Sequence, residues 1–75
     1  MSKYTIILEY DPEAKSYAVT VPALPGCTSQ GYTIEEAIAN AKEAIGGHVA
    51  TLRDIGEPVP EEIERPQAIT IDVAA

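Results

Sequence analysis

A capped amphipathic helix is the feature that most constrains the fold of this chain. Thr33-Ile-Glu-Glu36 has capping-box spacing: the Thr33 hydroxyl accepts from the Glu36 amide, and the Glu36 carboxylate reaches back to the Thr33 amide. Gly56 is placed to serve as the C-cap. The sequence therefore predicts a helix over about 34–55. Apolar residues recur along it at three- and four-residue steps, predicting one buried stripe: Ile34, Ile38, Ala41, Ile45, Val49 and Leu52.

Two alternating segments before the helix predict an antiparallel hairpin. β-branched and aromatic residues repeat with a period of two over about 3–10 and again over about 16–21. The turn between them starts at Asp11, whose carboxylate can bond the backbone beyond it. Pro22 should end the second strand because it has no N–H to donate.

A corner and a short polar segment connect the hairpin to the helix. Pro25 pre-sets a turn and Gly26 can adopt positive φ there. Residues 27–31 are predicted to be a third strand, although their polarity is also compatible with a loop.

The end of the chain predicts one more strand. An acidic, proline-rich connector spans residues 57–66, and alternation returns over about 68–74. The fold expected for the single domain 1–75 is α+β with the order β-β-β-α-β. In it, one helix packs across a four-stranded, mainly antiparallel sheet.

Gly46 and Gly47 have low helix propensity, although they lie within the predicted helix. Two helical glycines cost on the order of 2 kcal/mol relative to alanine. Close contact with a strand or another subunit is one interpretation, and a hinge is the other.

The small size of the chain favours self-association. A chain of 75 residues has a marginal core, and Cys27 has no cysteine to pair with. We therefore expect a homodimer or homotetramer, with the last strand pairing with its copy in a second subunit through Ile69, Ile71 and Val73. The chain shows neither a secretory signal pattern nor a membrane-length apolar run, so we expect a cytoplasmic protein.

The net charge of −7 argues against nucleic-acid partners, because an acidic surface repels phosphate. Five acids against Arg65 alone fall in residues 57–75. Such acidity either serves solubility or complements a basic protein partner. No direct DNA or RNA binding is expected.

The sequence does not predict a catalytic, cofactor or metal site. Cys27 and His48 lack a third residue to orient them, so a small buried cysteine is the favoured interpretation. One cysteine and one histidine do not suffice for a four-ligand zinc site. The alternative is a residual metal-dependent nuclease using scattered carboxylates: Glu9, Asp11, Glu36 and Asp72.

Residues from Tyr4 to about Leu52, and the Gly56-Pro58-Pro60 segment, resemble the HicB antitoxin family. Three motifs carry the likeness together: Leu24-Pro-Gly-Cys27, Gly31-x-Thr33, and the Glu36-Ala…Asn40-Ala…Glu43-Ala run. The resemblance implies a reduced ribonuclease-H-like fold. It also implies a non-enzymatic antitoxin that binds and neutralises a HicA-type toxin, a small basic ribonuclease that cleaves mRNA. An orphan oligomeric module with a different partner is the alternative.

The sequence departs from the family pattern at three places. Ala23 and Tyr32 stand where acids are common, and the sequence ends at Ala75 without the DNA-binding domain that many members carry. Repression of its own operon is therefore not expected. The residues predicted to contact the toxin are Glu57, Glu61, Glu62, Glu64 and Tyr32; those predicted to be structural are Pro22, Pro25, Gly26, Thr33, Glu36 and Gly56.

Overall fold

The alternating segments form the sheet and the capped segment forms the helix. The computed structural model describes residues 2–74. Its elements are β1 (Ile7–Asp11), β2 (Ser16–Thr20), β3 (Thr28–Gly31) and α1 (Ile34–Asp54). The strands form an antiparallel sheet in the order β1-β2-β3. The α+β class and the β-β-β-α order are thus as predicted.

The β1–β2 hairpin has the predicted turn but a shorter first strand. The Asp11 carboxylate accepts from the backbone amides of Glu13 and Ala14 at 3.0 and 3.3 Å, which closes the turn. At the other end Ile7 pairs with Thr20. The chain turns directly after β2, so residues 3–6 have no strand to pair with and the predicted start at residue 3 is wrong.

Two consecutive turns form the corner after β2. The Leu24 amide donates to the Val21 carbonyl at 2.9 Å, and the Cys27 amide donates to the Leu24 carbonyl at 3.0 Å. Pro22 and Pro25 each occupy the second position of a turn. Gly26 has a φ of 85°, which the second turn requires. The turn predicted at Pro25 and Gly26 is confirmed, whereas β2 ends at Thr20, two residues before Pro22.

The polar segment before α1 is a strand that pairs with β2 from Thr28 to Gly31, and it also carries the close contact between sheet and helix. A Cβ built on Gly31 would lie closer than 3.0 Å to backbone atoms of Glu36 and Ala37. Only glycine allows the first turn of α1 to approach β3 this closely. The pairing confirms the polar segment as a strand rather than a loop, beginning one residue later than predicted.

The N-cap of α1 differs from the prediction in one bond. The Glu36 amide donates to the Thr33 hydroxyl at 3.0 Å, as the capping box requires. The Glu36 carboxylate accepts from the Tyr32 amide at 3.3 Å, one residue before the expected partner.

Gly56 was predicted to be the C-cap, but it lies one position beyond the C-cap that the structure shows. Ile55 is the C-cap, and Gly56 follows with a φ of 74°. The Gly56 amide donates to the Arg53 carbonyl at 3.2 Å, and the Glu57 amide donates to the Leu52 carbonyl at 2.8 Å. This pair of bonds is the Schellman motif, which needs a residue in the left-handed region.

The buried face of α1 is rotated from the predicted stripe. Ala37 and Ala41 are buried against Val19, whereas Ile34 and Ile38 remain 48% and 39% exposed. The small alanines allow the helix to lie close to β2 and β3, and it barely reaches β1. A second cluster, formed by Val21, Leu24 and Cys27, packs under the C-terminal half of the helix.

The predicted fourth strand is wrong for the single chain. Residues 57–74 contain neither strand nor helix. The radius of gyration is 14.2 Å, against about 11 Å for a compact chain of this length, as expected when the C-terminal residues extend away. Alternation indicates that a segment can present an apolar face, but it does not supply a neighbouring strand.

None of the helical residues in the 2–74 range forms a segment long and apolar enough to cross a bilayer.

The Gly31 contact predicts a large stability cost on adding one methyl group. Gly31→Ala should lower the free energy of unfolding by about 2–3 kcal/mol, because backbone atoms of α1 must move. Gly47→Ala is the matched control: a Cβ there meets nothing within 4 Å, so helix propensity should raise stability slightly. Urea denaturation at one protein concentration measures both; equal effects would contradict the close approach.

The N-cap hydrogen bond predicts a smaller loss of stability, which depends on the Thr33 hydroxyl. Thr33→Ala removes the acceptor for the Glu36 amide and should cost about 1 kcal/mol. Thr33→Ser keeps the hydroxyl and should be close to wild type. Thermal denaturation of the three proteins checks this; an equal loss for serine and alanine would show that the hydroxyl bond contributes nothing.

Candidate functional site

Two hydrogen-bonded contacts fix the acidic connector beside the N-terminal segment. The Tyr4 hydroxyl donates to the Pro60 carbonyl at 2.6 Å. The Glu62 carboxylate accepts from the Thr5 amide at 2.6 Å and from the Thr5 hydroxyl at 2.8 Å. One carboxylate therefore satisfies a backbone donor and a side-chain donor of the same residue. We refer to these two contacts as the connector clamp.

The clamp divides the predicted contact acids into two kinds. Glu57, Glu61 and Glu64 are exposed, and their carboxylates can meet a partner. Glu62 is partly buried and already occupied by Thr5, so its role in the single chain is structural. This division was not predicted, since a run of glutamates gives no indication of which one turns inward.

Three of these acids lie around one shallow depression. Glu61, Glu62 and Glu64 line a cavity of about 270 Å³ together with Pro22 and Ala23. The depression can receive a basic side chain from a partner, with charge on one wall and apolar surface on the other.

Ile63 is a candidate contact residue that sequence reasoning missed. Its side chain is 90% exposed in the middle of the acidic connector. A large aliphatic side chain surrounded by carboxylates is typical of an interface, where an apolar anchor is ringed by polar residues. The signal available in the sequence was that Ile63 is an isolated isoleucine, which fits neither the helical nor the strand periodicity.

Tyr32 lies far from the acids with which it was grouped. It precedes the first turn of α1, whereas Glu57 follows the last. A helix of 21 residues is about 30 Å long. Tyr32 is 72% exposed, but it lines a separate cavity with Glu36 and Asn40. The structure therefore does not bring Tyr32 and Glu57 into one small site.

An open groove lies on the β1 side of the helix. It has a volume of about 480 Å³ and runs between the N-terminal segment and α1. The groove is lined, among others, by Tyr4, Lys42, Ile45, Gly46, Val49 and Arg53. Two of the five basic residues of the chain thus border an apolar channel, and this pairing was not predicted.

The residues predicted to self-associate are fully available. Ile69, Ile71 and Val73 are 73%, 73% and 74% exposed. We call residues 67–74 the arm. Three aliphatic side chains on an unpaired segment leave apolar surface in water that a partner can cover.

The structure places Cys27 and His48 beside the same depression, of about 280 Å³. Burial nevertheless raises the pKa of the Cys27 thiol above its usual value. A nucleophilic cysteine needs the opposite shift, because the thiolate is the reactive form. Cys27 packs with Val21 and Leu24 and acts as a small core residue.

The scattered carboxylates are not brought together. Asp11 accepts from the hairpin turn and Glu36 from the amide of Tyr32. Across residues 2–74, no three histidine, cysteine or carboxylate side chains converge in a way that could hold a metal ion. The geometry therefore gives no support to the nuclease alternative.

Comparison with known proteins assigns the fold to a family. The sequence model of the HicB-like antitoxin of bacterial toxin–antitoxin systems matches residues 4–71. A UPF0150 protein of Thermoplasma acidophilum is 45% identical over 60 residues, covering 80% of this chain and 86% of the relative. One from Synechocystis is 41% identical over 70 residues, covering 91% and 87%.

Two solved structures share the architecture. The N-terminal domain of Burkholderia pseudomallei antitoxin HicB superposes with a TM-score of 0.68 at 44% identity, covering 85% of this chain and 72% of that one. The crystal structure of the Burkholderia pseudomallei antitoxin HicB superposes with a TM-score of 0.71 at 43% identity, covering 89% of this chain. This chain spans 48% of that second structure.

Cys27 should react slowly with alkylating reagents while the protein is folded. Its raised pKa leaves little thiolate, and burial limits access, so we expect modification about 100-fold slower than in urea. Because the folded state holds the thiol proton more tightly than the unfolded state, stability should fall as pH rises above the usual thiol pKa. Cys27→Ala should remove that dependence. Rapid modification of the native protein, measured by mass spectrometry, would contradict this assignment.

Proposed function

The chain belongs to the HicB-like antitoxin family, and from that premise we propose that it binds and neutralises a small, basic, mRNA-cleaving toxin of the HicA type. The match over residues 4–71 carries this proposal, because it spans the sheet, the helix and the connector. The proposal places the chain in the cytoplasm, as a stoichiometric inhibitor without catalytic chemistry.

Electrostatics supports a basic protein as the target. The chain has a net charge of −7, which attracts a basic partner from a distance and raises the association rate. The exposed acids Glu57, Glu61 and Glu64 lie on a connector that the clamp holds in place. A fixed connector loses less conformational entropy on binding than a free tail of the same composition.

The connector also offers an apolar contact among its charges. Ile63 projects between the acids, and the depression beside Ala23 can accept a lysine or arginine side chain. In this arrangement the acids steer the encounter, while Ile63 and the depression slow dissociation.

Inhibition of a toxin tests the function directly. Co-expression of this chain with a small basic toxin from the adjacent reading frame should restore growth, and the purified chain should block mRNA cleavage at one equivalent. A chain that neither binds nor inhibits that toxin would contradict the proposal and favour an interaction module with a different partner.

Charge reversal tests the acidic connector as the contact surface. The variant Glu57→Lys/Glu61→Lys/Glu64→Lys should weaken toxin binding roughly tenfold or more at low salt, with a smaller effect at high salt. Glu62 is kept, because its loss would release Thr5 and disturb the connector itself.

A matched variant separates local contact from overall charge. Glu9→Lys/Glu13→Lys/Glu43→Lys changes three exposed acids on the hairpin and the helix and alters the net charge equally. Isothermal titration calorimetry should show nearly wild-type affinity for this control. Equal weakening by both variants would mean that net charge, and not the connector, determines affinity.

A further inference from the structure

We propose that Thr5 is a positioning residue for recognition of the basic toxin. By holding the Glu62 carboxylate, it keeps the two neighbours of that residue, Glu61 and Ile63, in the orientation that the toxin meets. This inference rests on the proposed function and deepens it. It assigns part of the affinity to a threonine of the N-terminal segment rather than to the connector acids alone.

The end of α1 fixes only the first acid of the connector. The Glu57 amide donates to the Leu52 carbonyl at 2.8 Å, so the position of Glu57 is set by the helix. Residues 57–63 contain neither helix nor strand. Pro58 and Pro60 restrict φ at their own positions, but they leave the rest of the backbone free to move. The residues after Glu57 must therefore be held by other contacts.

Thr5 engages both oxygens of one connector carboxylate. Its amide donates to Oε1 of Glu62 at 2.6 Å, and its hydroxyl donates to Oε2 at 2.8 Å. Two bonds to one planar group fix its orientation as well as its position, and the negative charge strengthens both. The connector is thereby attached to the domain at Glu62.

This attachment turns the neighbours of Glu62 outward. Successive side chains of an extended segment point in different directions, so an inward Glu62 leaves the flanking side chains in solvent. Glu61 is exposed and Ile63 is 90% exposed, whereas Glu62 is partly buried. The Tyr4 hydroxyl holds the Pro60 carbonyl at 2.6 Å, so Glu61 lies between two fixed residues.

Apolar burial does little to hold the connector in this position. Its two aliphatic side chains are Val59, which is half-buried, and Ile63, which is almost fully exposed. The polar clamp therefore determines how much of the time the connector lies in place. If the toxin binds only chains with the connector in place, its apparent dissociation constant rises as that fraction falls.

The free chain provides the first test. Thr5→Val keeps the shape of the side chain and removes the hydroxyl donor, and Thr5→Ser keeps the donor. Backbone order parameters of residues 61–63, measured by 15N relaxation, should be about 0.85 in wild type and Thr5→Ser and below about 0.6 in Thr5→Val. Thr20→Val is the matched control, because Thr20 is an exposed threonine of β2 outside the clamp.

Binding kinetics provide the second test, with the basic toxin from the adjacent reading frame as the probe. Thr5→Val should lower the association rate constant roughly threefold to tenfold and leave the dissociation rate constant nearly unchanged, because fewer chains are ready to bind. A residue that touched the toxin would change the dissociation rate instead. The effect should persist at high salt, since no charge is altered. Thr5→Ser and Thr20→Val should match wild type in surface plasmon resonance.

Glu62→Gln separates the position of this side chain from its charge. The amide oxygen can still accept from the Thr5 amide, and the amide nitrogen can donate to the Thr5 hydroxyl, so the geometry of the clamp is kept. Affinity for the toxin should therefore remain within roughly threefold of wild type. If the Glu62 charge contacted the toxin directly, this variant would bind more weakly than Thr5→Val.

Three results would overturn the inference while leaving the proposed function intact. These are a connector that is already mobile in the wild-type chain, toxin binding that Thr5→Val does not change, and a larger loss of affinity for Glu62→Gln than for Thr5→Val. A wild-type chain that does not bind the toxin at all would instead refute the proposed function, and this inference with it.

Discussion

The close approach of α1 to β3 at Gly31 determines the shape of the whole molecule. Because Gly31 has no side chain, the first turn of the helix lies against the strand backbone, and Ala37 and Ala41 become the buried face. A helix set so close to β3 and β2 does not extend over β1. The same contact that forms the core thus leaves one side of the helix open, and the groove and the exposed isoleucines follow from it.

The local architecture was predictable because each piece carries its own chemistry. Asp11, Pro22, Pro25, Gly26, Thr33 and Gly56 act where their backbone preferences placed them. Such signals depend on a few neighbouring residues and need no knowledge of the rest of the fold. The error at the start of β1 has a non-local cause: β2 turns away after Thr20, so the residues before Ile7 have no strand to pair with.

The fourth strand and the helical stripe could not be predicted from local pattern. Alternation over 68–74 is compatible with any sheet edge, including that of another molecule. In the helix, isoleucines and alanines are both apolar, so periodicity alone does not tell which set faces the sheet. The choice of Ala37 over Ile38 depends on Gly31, six residues earlier and in another element. Glu62 is a similar case, because its partner Thr5 is 57 residues away.

The candidate contact surface was only partly accessible to sequence reasoning. The charge pattern singled out the connector acids, but it did not separate the engaged Glu62 from its exposed neighbours. It also grouped Tyr32 with residues at the far end of the helix. The apolar member, Ile63, was missed because it belongs to no periodic pattern. Composition therefore showed that the connector is acidic, while the shape of its surface required coordinates.

The connector clamp also links the two ends of the chain. A segment on a long free linker can take many directions relative to the domain it leaves. Here the last fixed residue, Glu62, stands only a few positions before the arm begins. Such a short tether restricts the arm to a narrow range of directions. The course of the C-terminal residues is therefore set by a threonine at the N-terminal end of the chain.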